Sequence, residues 1–278
     1  MKVERVLFMV IAMACVPITT ALGEDLSGLF ASERIVSKVL VDHSAWADIL
    51  GRNLLVDPEG INRFAYGKVT AADRSKLQSY IAGLQKIDPR QLRPNEQRAY
   101  WINFYNALTI EVILQHYPVE SIRDISSGVF TRGPWDIPLV TVNGKRLTLN
   151  NIEHDILRTG WRDERVHYAL NCASLGCPDL AATPYEGKLL DAQLDAAGVA
   201  FINHSRGVSL RNGRLILSSI FDWYRKDFDG GAAPAVIGAV RKYARPQLAA
   251  RLGRLSRIDG YQYDWRLNAP GKVFLAPQ

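Results

Sequence analysis

Cysteine is scarce in this sequence, and the motifs that usually indicate a cofactor or a metal are missing. Three cysteines occur among 278 residues, and no second close pair accompanies Cys172 and Cys177. This excludes the two-pair arrangement that is typical of structural zinc modules. The sequence also lacks a glycine-rich phosphate loop, a nucleophile elbow and a zinc-protease helix. We therefore expect no cofactor and no metal ion.

A strong charge of one sign is absent as well. The net charge is +6, and the basic residues are scattered along the chain instead of alternating with aromatic residues. Proteins that bind nucleic acids usually concentrate their basic residues on one face. We therefore expect no nucleic-acid partner. The mild positive charge favours at most a peripheral association with anionic surfaces of the cell envelope.

Only the N-terminus carries a long apolar run. A short basic start is followed by apolar residues from Val6 to Ala14, and small residues stand at positions 21 and 23. This pattern predicts a signal peptide over residues 1–23 and an exported protein, periplasmic or extracellular. A retained membrane anchor is less favoured because Pro17 interrupts the run, and a lipid anchor at Cys15 has a poor recognition sequence. Residues 24–278 are then expected to form a single globular domain.

The pattern along this domain predicts a helix-rich α+β fold with a small antiparallel sheet. Thr70 is placed to cap a helix, and a helix over Asn95–His116 is apolar on nearly all sides, which is typical of a central, buried helix. Asn143-Gly144 between two β-prone runs predicts a hairpin over Ile137–Leu149. A helix is expected to begin at Asn150 with a capping box.

The most informative stretch runs from His167 to Pro178. Val166–Leu170 is predicted to be a short buried strand, and the loop that follows is dense in polar residues. Cys172 in this loop is a candidate nucleophile if a nearby base ionises its thiol, and His154 or His167 would be that base. The residue pattern alone does not choose between the two histidines.

Two other interpretations of the cysteines stay open. Export places them in an oxidising compartment, where Cys172 and Cys177 would form a structural disulfide. This interpretation carries the same weight as the catalytic one. A metal site made by both cysteines and a histidine is the weakest alternative, because the spacing between the cysteines is wide for zinc.

Polar residues on apolar elements complete the candidate site. Asn103 and Asn106 share one face of the long helix, where buried amides must find partners. They are expected to bond neighbouring backbone or, alternatively, to serve the site. Asp222 and Asp227 could assist acid–base chemistry, although capping and surface ion pairs are the usual roles of such residues.

With these residues in view, the chain resembles the domain of unknown function 547 family. Four of the blocks that carry the resemblance are Tyr100–Ala107, Leu147–Arg158, Arg165–Leu180 and Ser218–Phe228, and a fifth is the closing Tyr263-Asp264-Trp265. The resemblance implies an exported, helix-rich α+β domain whose signature includes Glu153-His154 and Asn171-Cys172. The family has no established activity. A permuted papain-like layout would accommodate histidines that precede the cysteine, by analogy of fold alone.

These observations lead to two hypotheses of different classes. In the first, the protein is a thiol-dependent hydrolase or acyl-transfer enzyme that acts on peptide-like or small amide substrates. Cys172 attacks, His154 or His167 accepts its proton, Asn103 or Glu153 orients that base, and backbone N–H groups near Ala173 form an oxyanion hole. The substrate would be bound by Asn106, Asn171 and Ser174. In the second, the protein is a non-catalytic binding or envelope-assembly module with a structural Cys172–Cys177 disulfide.

Overall fold

The computed structural model describes residues 26–30, 39–126, 128 and 133–270. The described chain is rich in helices and carries small sheets, which confirms the predicted α+β class. The predicted signal peptide, residues 1–23, lies outside the described residues. Among the helices of the described chain, none combines the length and the apolar character that crossing a membrane requires.

The centre of the fold is α3 (Pro94–His116), which confirms the helix predicted there. Nearly every residue of α3 is buried, as expected for a helix that is apolar on all sides. Tyr100, Trp101 and Phe104 pack ring against ring, with centroids 4.8 to 6.2 Å apart. The helix is therefore surrounded by the rest of the chain and provides a rigid support for what packs on it.

The other helices surround α3. Thr70 caps α2, because its hydroxyl accepts the Asp73 N–H at 3.1 Å, as the sequence predicts. The remaining helices are short or lie at the periphery. They are α1 (Ser44–Asn53), α2 (Ala71–Gln85), a π-helix (Asn151–Arg158), α4 (Thr159–Trp161), α5 (Val166–Ala169), α6 (Leu190–Ile202), α7 (Ile220–Trp223), α8 (Ala233–Tyr243) and α9 (Pro246–Leu252), with 3-10 turns at Ser27–Leu29, Tyr66–Lys68, Pro89–Gln91, Ile122–Asp124 and Arg225–Asp227.

The strands form two hairpin-like pairs and a three-stranded sheet. The strands are β1 (Leu54–Val56), β2 (Asn62–Phe64), β3 (Val140–Val142), β4 (Lys145–Leu147), β5 (Val208–Arg211), β6 (Arg214–Ser218) and β7 (Gly260–Gln262). The predicted hairpin is confirmed as β3–β4, with Asn143 and Gly144 both at positive φ in its turn. β7 departs from the antiparallel prediction, since it pairs parallel to β6 after α8 and α9 carry the chain back.

Two elements near the predicted site differ from the prediction. The helix expected to begin at Asn150 is the π-helix, and its first turn is closed by Thr148 and Asn151, which exchange hydrogen bonds at 3.0 Å. The predicted strand over Val166–Leu170 is α5, a buried single turn. A short run of buried apolar residues has the same pattern in a strand and in a helix, so periodicity could not distinguish them.

The core consists of two hydrophobic clusters. The first surrounds α3 and includes α1, α2 and the π-helix. The second lies among α6, α8 and the strands β5 and β6. The segment from α5 to the cysteines passes between the clusters, since Tyr168 belongs to the second and Ala169 and Leu170 to the first. Elements from both clusters therefore meet at the cysteine loop, the segment Asn171–Pro178.

Candidate functional site

A cavity of about 220 Å³ opens beside the cysteine loop. Its walls come from α3, the π-helix, α5, α7, the cysteine loop and the C-terminal segment. Six Tyr and Trp side chains line it: Tyr105, Trp135, Trp223, Tyr224, Tyr263 and Trp265. The chemically functional groups in the walls are Glu153, His167, Cys172 and Cys177. The structure thus brings together one of the two predicted bases, the predicted nucleophile and a carboxylate.

Cys172 and Cys177 form a disulfide in this structure. Cys172 is partly exposed toward the cavity, whereas Cys177 is only 3% exposed. The hydroxyl of Tyr263 lies 3.0 Å from Cys172 Sγ and 3.1 Å from Cys177 Sγ, and Ser174 Oγ lies 3.1 Å from Cys172 Sγ. Since a disulfide carries no S–H, these hydroxyls are the donors. The disulfide interpretation of the sequence is the state observed, and in this state Cys172 has no thiolate.

The backbone of the cysteine loop is held by buried amides. Asn106 on α3 donates to Ala169 O at 3.0 Å and accepts the Asn171 N–H at 2.9 Å. The Asn171 side chain accepts the Ala173 N–H at 2.9 Å and donates to Pro178 O at 2.8 Å. Asn106 therefore bonds neighbouring backbone, which is the first alternative predicted for the buried amides of the long helix, and Asn171 does the same within the loop. Neither lines the cavity, and the same is true of Ser174, so the predicted substrate-binding set does not form.

Ala173 has a backbone conformation that side chains rarely adopt. Its φ is +59°, in the left-handed region, directly after Cys172. Backbone strain of this kind persists only where the surroundings determine the conformation, and it is common at functional sites. The Asn171 carboxamide oxygen holds Ala173 in this conformation by accepting its N–H. For the same reason this N–H is not available for an oxyanion hole, which corrects the prediction.

His167 is 3% exposed and is held by charged and aromatic partners. Its Nε2 lies 2.8 Å from Asp227 Oδ2, and its ring stacks on Tyr224 with centroids 4.1 Å apart. Asp227 also accepts two hydrogen bonds from Arg158, at 2.6 and 3.0 Å. Burial alone would raise the pKa of Asp227, but the bonds from His167 and Arg158 hold it well below its usual range. Asp227 is therefore a carboxylate that orients His167 through Nε2, and Nδ1 is the ring nitrogen that Asp227 does not engage.

Glu153 faces the cavity from the π-helix and is 6% exposed. Burial raises the pKa of both Tyr105 and Tyr224, and the negative charge of Glu153 and its hydrogen bonds with the two phenols raise it further. The two phenols therefore remain protonated and can donate to the carboxylate. π-helical turns are frequent at functional sites, and this one carries Glu153 into the cavity wall.

Two predicted site residues lie elsewhere. His154 is on the π-helix but contacts Arg158, with Nδ1 3.1 Å from Nη1, and it is not among the residues that line the cavity. Asn103 contacts neither predicted base. Its amide nitrogen lies 3.2 Å from His43 Nε2 and 2.8 Å from Tyr185 O. Of the two possible orienting groups, only Glu153 is in the cavity.

Several residues of the site were not recognised as such from the sequence. For Asp227, the sequence favours a role in helix capping or a surface ion pair over a role in the site. Tyr263 is brought to the sulfurs because the cysteine loop pairs with the C-terminal segment, through Gly176 N–H to Asp264 O at 2.8 Å. A side chain at Gly176 would meet the Asp264 backbone nitrogen at 2.7 Å, so the close approach needs a glycine. The sequence signal for this segment is the closing Tyr263-Asp264-Trp265 block, which carries part of the resemblance but does not indicate the contact with the cysteine loop.

Other concave surfaces carry less chemistry. A groove of about 960 Å³ also borders Tyr263, but several of its charged side chains already form ion pairs, as Arg63 does with Asp57 and Arg266 with Asp264. Within the described ranges, no three His, Cys, Asp or Glu side chains lie close enough to hold a metal ion. The small cavity beside the cysteine loop is thus the candidate site.

Comparison with known proteins agrees with the resemblance noted from the sequence. Residues 89–202 match the model of a family described as Protein of unknown function, DUF547. The match is shorter than half of the chain, and it includes α3, the π-helix, His167 and both cysteines. No curated protein and no solved structure matches the chain.

Proposed function

We propose that this protein is an exported thiol-dependent hydrolase or acyl-transfer enzyme that acts on peptide- or amide-like substrates. The Cys172–Cys177 disulfide is its resting, oxidised form. The single observation that carries the proposal is the convergence of Cys172 and the Asp227-oriented His167 on one cavity. A thiol beside a histidine that a carboxylate orients is the arrangement that activates cysteine nucleophiles.

The reaction begins with reduction of the disulfide. A dithiol reductant supplies two electrons and two protons, is itself oxidised to a disulfide, and leaves Cys172 and Cys177 as thiols. Both cysteines line the cavity, but Cys172 is partly exposed whereas Cys177 is only 3% exposed. Cys172 is therefore the more accessible sulfur and the one that we expect to attack a bound substrate.

His167 then takes the proton of the Cys172 thiol, and the thiolate adds to the carbonyl carbon of the amide. The C–N bond breaks as His167 returns the proton to the leaving amine, and a thioester remains. Water or a second amine gives its proton to His167, attacks the thioester and releases the Cys172 thiolate. The hydroxyl of Tyr263, which lines the cavity and lies 3.0 Å from Cys172 Sγ, is the donor that we expect to stabilise the oxyanion.

A second candidate function has an observation of its own. The disulfide is formed, and the Tyr263 hydroxyl, a single donor, lies within 3.1 Å of both of its sulfurs. A wall of this kind suits a binding or envelope-assembly module in which the bond is permanent. Under this alternative, the aromatic cavity holds a ligand and His167 is a structural residue.

The two functions are separated by releasing Cys172 genetically. In Cys177→Ser the Cys172 thiol is free without a reductant. We expect its rate of alkylation by iodoacetamide to follow an apparent pKa below the ordinary value of about 8.5. We also expect a peptidyl activated ester to acylate Cys172, as detected by mass spectrometry. The matched control Cys172→Ser leaves the buried Cys177 thiol and should react slowly.

Histidine variants in the Cys177→Ser background test the base. His167→Asn should raise the apparent thiol pKa and abolish the acyl adduct, whereas His154→Asn should leave both unchanged. Thermal unfolding of each variant verifies that the protein is folded. A thiol that titrates at or above the ordinary value, with no acyl adduct in folded protein, would contradict the enzyme and support the binding module.

Export is part of the proposal. The predicted signal peptide would deliver the chain to an oxidising compartment, where a disulfide between the two remaining cysteines is expected. The mass of the protein recovered outside the cytosol should correspond to cleavage after Gly23. Recovery with the N-terminal residues retained would favour the anchor instead. Release from the envelope by high salt would identify a peripheral, electrostatic association.

A further inference from the structure

We propose that the cavity selects a substrate that carries an alkylammonium group, such as a lysine side chain or the free amine of a peptide. The inference rests on the proposed function, because it names the substrate class of the same cavity. The charge and the aromatic side chains of the cavity walls support it, and neither feature is needed for the thiol chemistry itself.

The carboxylate of Glu153 favours a ligand with a positive charge. It is buried in the wall, and no Lys or Arg of the described chain forms an ion pair with it. Arg158 is close enough for Glu153 to raise the pKa of the guanidinium, but the hydrogen bonds of Arg158 to a carboxylate go to Asp227. Tyr105 and Tyr224 can satisfy part of the acceptor capacity of the carboxylate, which has about four lone-pair sites. A charged donor in the cavity would complete it.

The aromatic side chains that line the cavity also favour a cation. Trp223, Tyr263 and Trp265 pack together with ring centroids 4.6 to 5.5 Å apart, and Trp135 lies 5.8 Å from Trp265. The face of an aromatic ring attracts a cation, most strongly for tryptophan. A lining that combines such rings with one carboxylate is the chemistry that recognises amines.

The protein itself supplies an independent sign that these rings accept cations. The guanidinium of Arg123 lies 5.0 Å from the centroid of the Trp265 ring, and that of Arg158 lies 4.9 Å from the Tyr224 ring. Neither arginine is among the residues that line the cavity. Both cations therefore contact these rings from outside the cavity, and their own charges do not fill it.

The size of the cavity limits what can enter. A volume of 220 Å³ corresponds to about seven water molecules, which suits one extended side chain. An acidic side chain would face Glu153 with Asp227 behind the wall, so it would be repelled. A neutral aliphatic chain would gain apolar contact but would leave the carboxylate without its charged donor.

The experiment compares two ligands that differ only in the amine. N-acetyl-lysine methylamide and N-acetyl-norleucine methylamide are titrated against the resting, disulfide-bonded protein. Binding is followed by the fluorescence of the tryptophans in the wall. We expect the lysine amide to bind at least tenfold more tightly. Equal affinities, or tighter binding of the norleucine amide, would overturn the inference.

Variants assign the effect to the named groups. Glu153→Gln keeps an acceptor for the tyrosines and should reduce the affinity for the lysine amide about tenfold without changing that for the norleucine amide. The control Asp222→Asn removes an exposed carboxylate next to Trp223 and should change neither affinity. Trp223→Leu, at a position that is 47% exposed, should weaken the lysine amide selectively. An unchanged lysine affinity in both Glu153→Gln and Trp223→Leu would contradict the inference.

The outcome is distinguishable from that of the proposed function, since binding is measured while Cys172 has no thiol. Selective binding of the lysine amide without acylation of Cys177→Ser would support the amine-selective cavity and contradict the proposed enzyme function. Acylation of Cys177→Ser that is equally fast with lysyl and norleucyl esters would retain the enzyme and refute the selectivity.

Discussion

Acidification should destabilise this protein through His43, which is buried far from the cavity. His43 is 8% exposed, with Nδ1 2.6 Å from the Tyr80 hydroxyl and Nε2 3.2 Å from the Asn103 amide nitrogen. The orientation of that amide is set because Asn103 Oδ1 accepts the Tyr185 N–H. Its NH₂ group therefore faces Nε2, which has to act as the acceptor. Protonation would place a second donor there.

Burial lowers the pKa of His43 to about 4, although the negative charges of Asp42 and Glu186 act in the opposite direction. The unfolded chain takes up this proton near the ordinary value of about 6.5, whereas the folded protein takes it up only near 4. The unfolded state therefore binds more protons between these values, and stability is lost as the pH falls through this window. The expected loss is about 2 to 3 kcal/mol between pH 7 and pH 4.5.

The assay is urea unfolding followed by tryptophan fluorescence at several pH values in this range. His43→Gln removes the titrating group, so its free energy of unfolding should depend much less on pH than that of the wild type. His204→Gln is the matched control, since His204 is half-buried and bonds a backbone carbonyl. The same pH dependence in His43→Gln and in the wild type would refute the reasoning.

Three further predictions concern stability. Reduction of the Cys172–Cys177 disulfide, which closes a loop with a sequence separation of 5 residues, should lower the free energy of unfolding by about 2 kcal/mol, as urea titration with and without a dithiol will measure. Arg98→Ala removes one of the two arginine partners of the partly buried Asp163, which keeps its bond to Arg165 at 2.7 Å, and should cost about 2 kcal/mol in the same assay, whereas no measurable change would contradict a stabilising role. Asn106→Ala leaves the Ala169 carbonyl and the Asn171 N–H unpaired and should cost about 3 kcal/mol. We also expect the disulfide of this variant to be reduced faster, as measured by the release of thiols.

Local patterns were sufficient for much of the fold. The helix at Pro94–His116 is long and apolar on all sides, and the hairpin at Val140–Leu147 has an Asn-Gly turn whose positive φ values few other residues tolerate. Both signals act within a few residues, so no distant contact is needed to produce them. Val166–Ala169 was mispredicted for the same reason, because four buried residues are too few to show a period.

The site depended on contacts between distant parts of the chain. His154 and His167 are equivalent candidates in sequence, and they separate only because the π-helix directs Glu153 into the cavity while His154 contacts Arg158. Asp227, 60 residues beyond His167, orients that ring. Nothing near His167 in the sequence indicates such a partner.

Periodicity, turn chemistry and short motifs are local properties of the chain, and they were sufficient to predict the α+β class, the central helix, the hairpin and the resemblance that the family match confirms. Only the packed fold shows which histidine shares a cavity with Cys172, that six aromatic side chains and one carboxylate line that cavity, and that the Tyr263 hydroxyl lies beside both sulfurs. These contacts join distant segments, such as those of Cys172 and Tyr263, which are 91 residues apart in the sequence, and their geometry exists only after both hydrophobic clusters have packed.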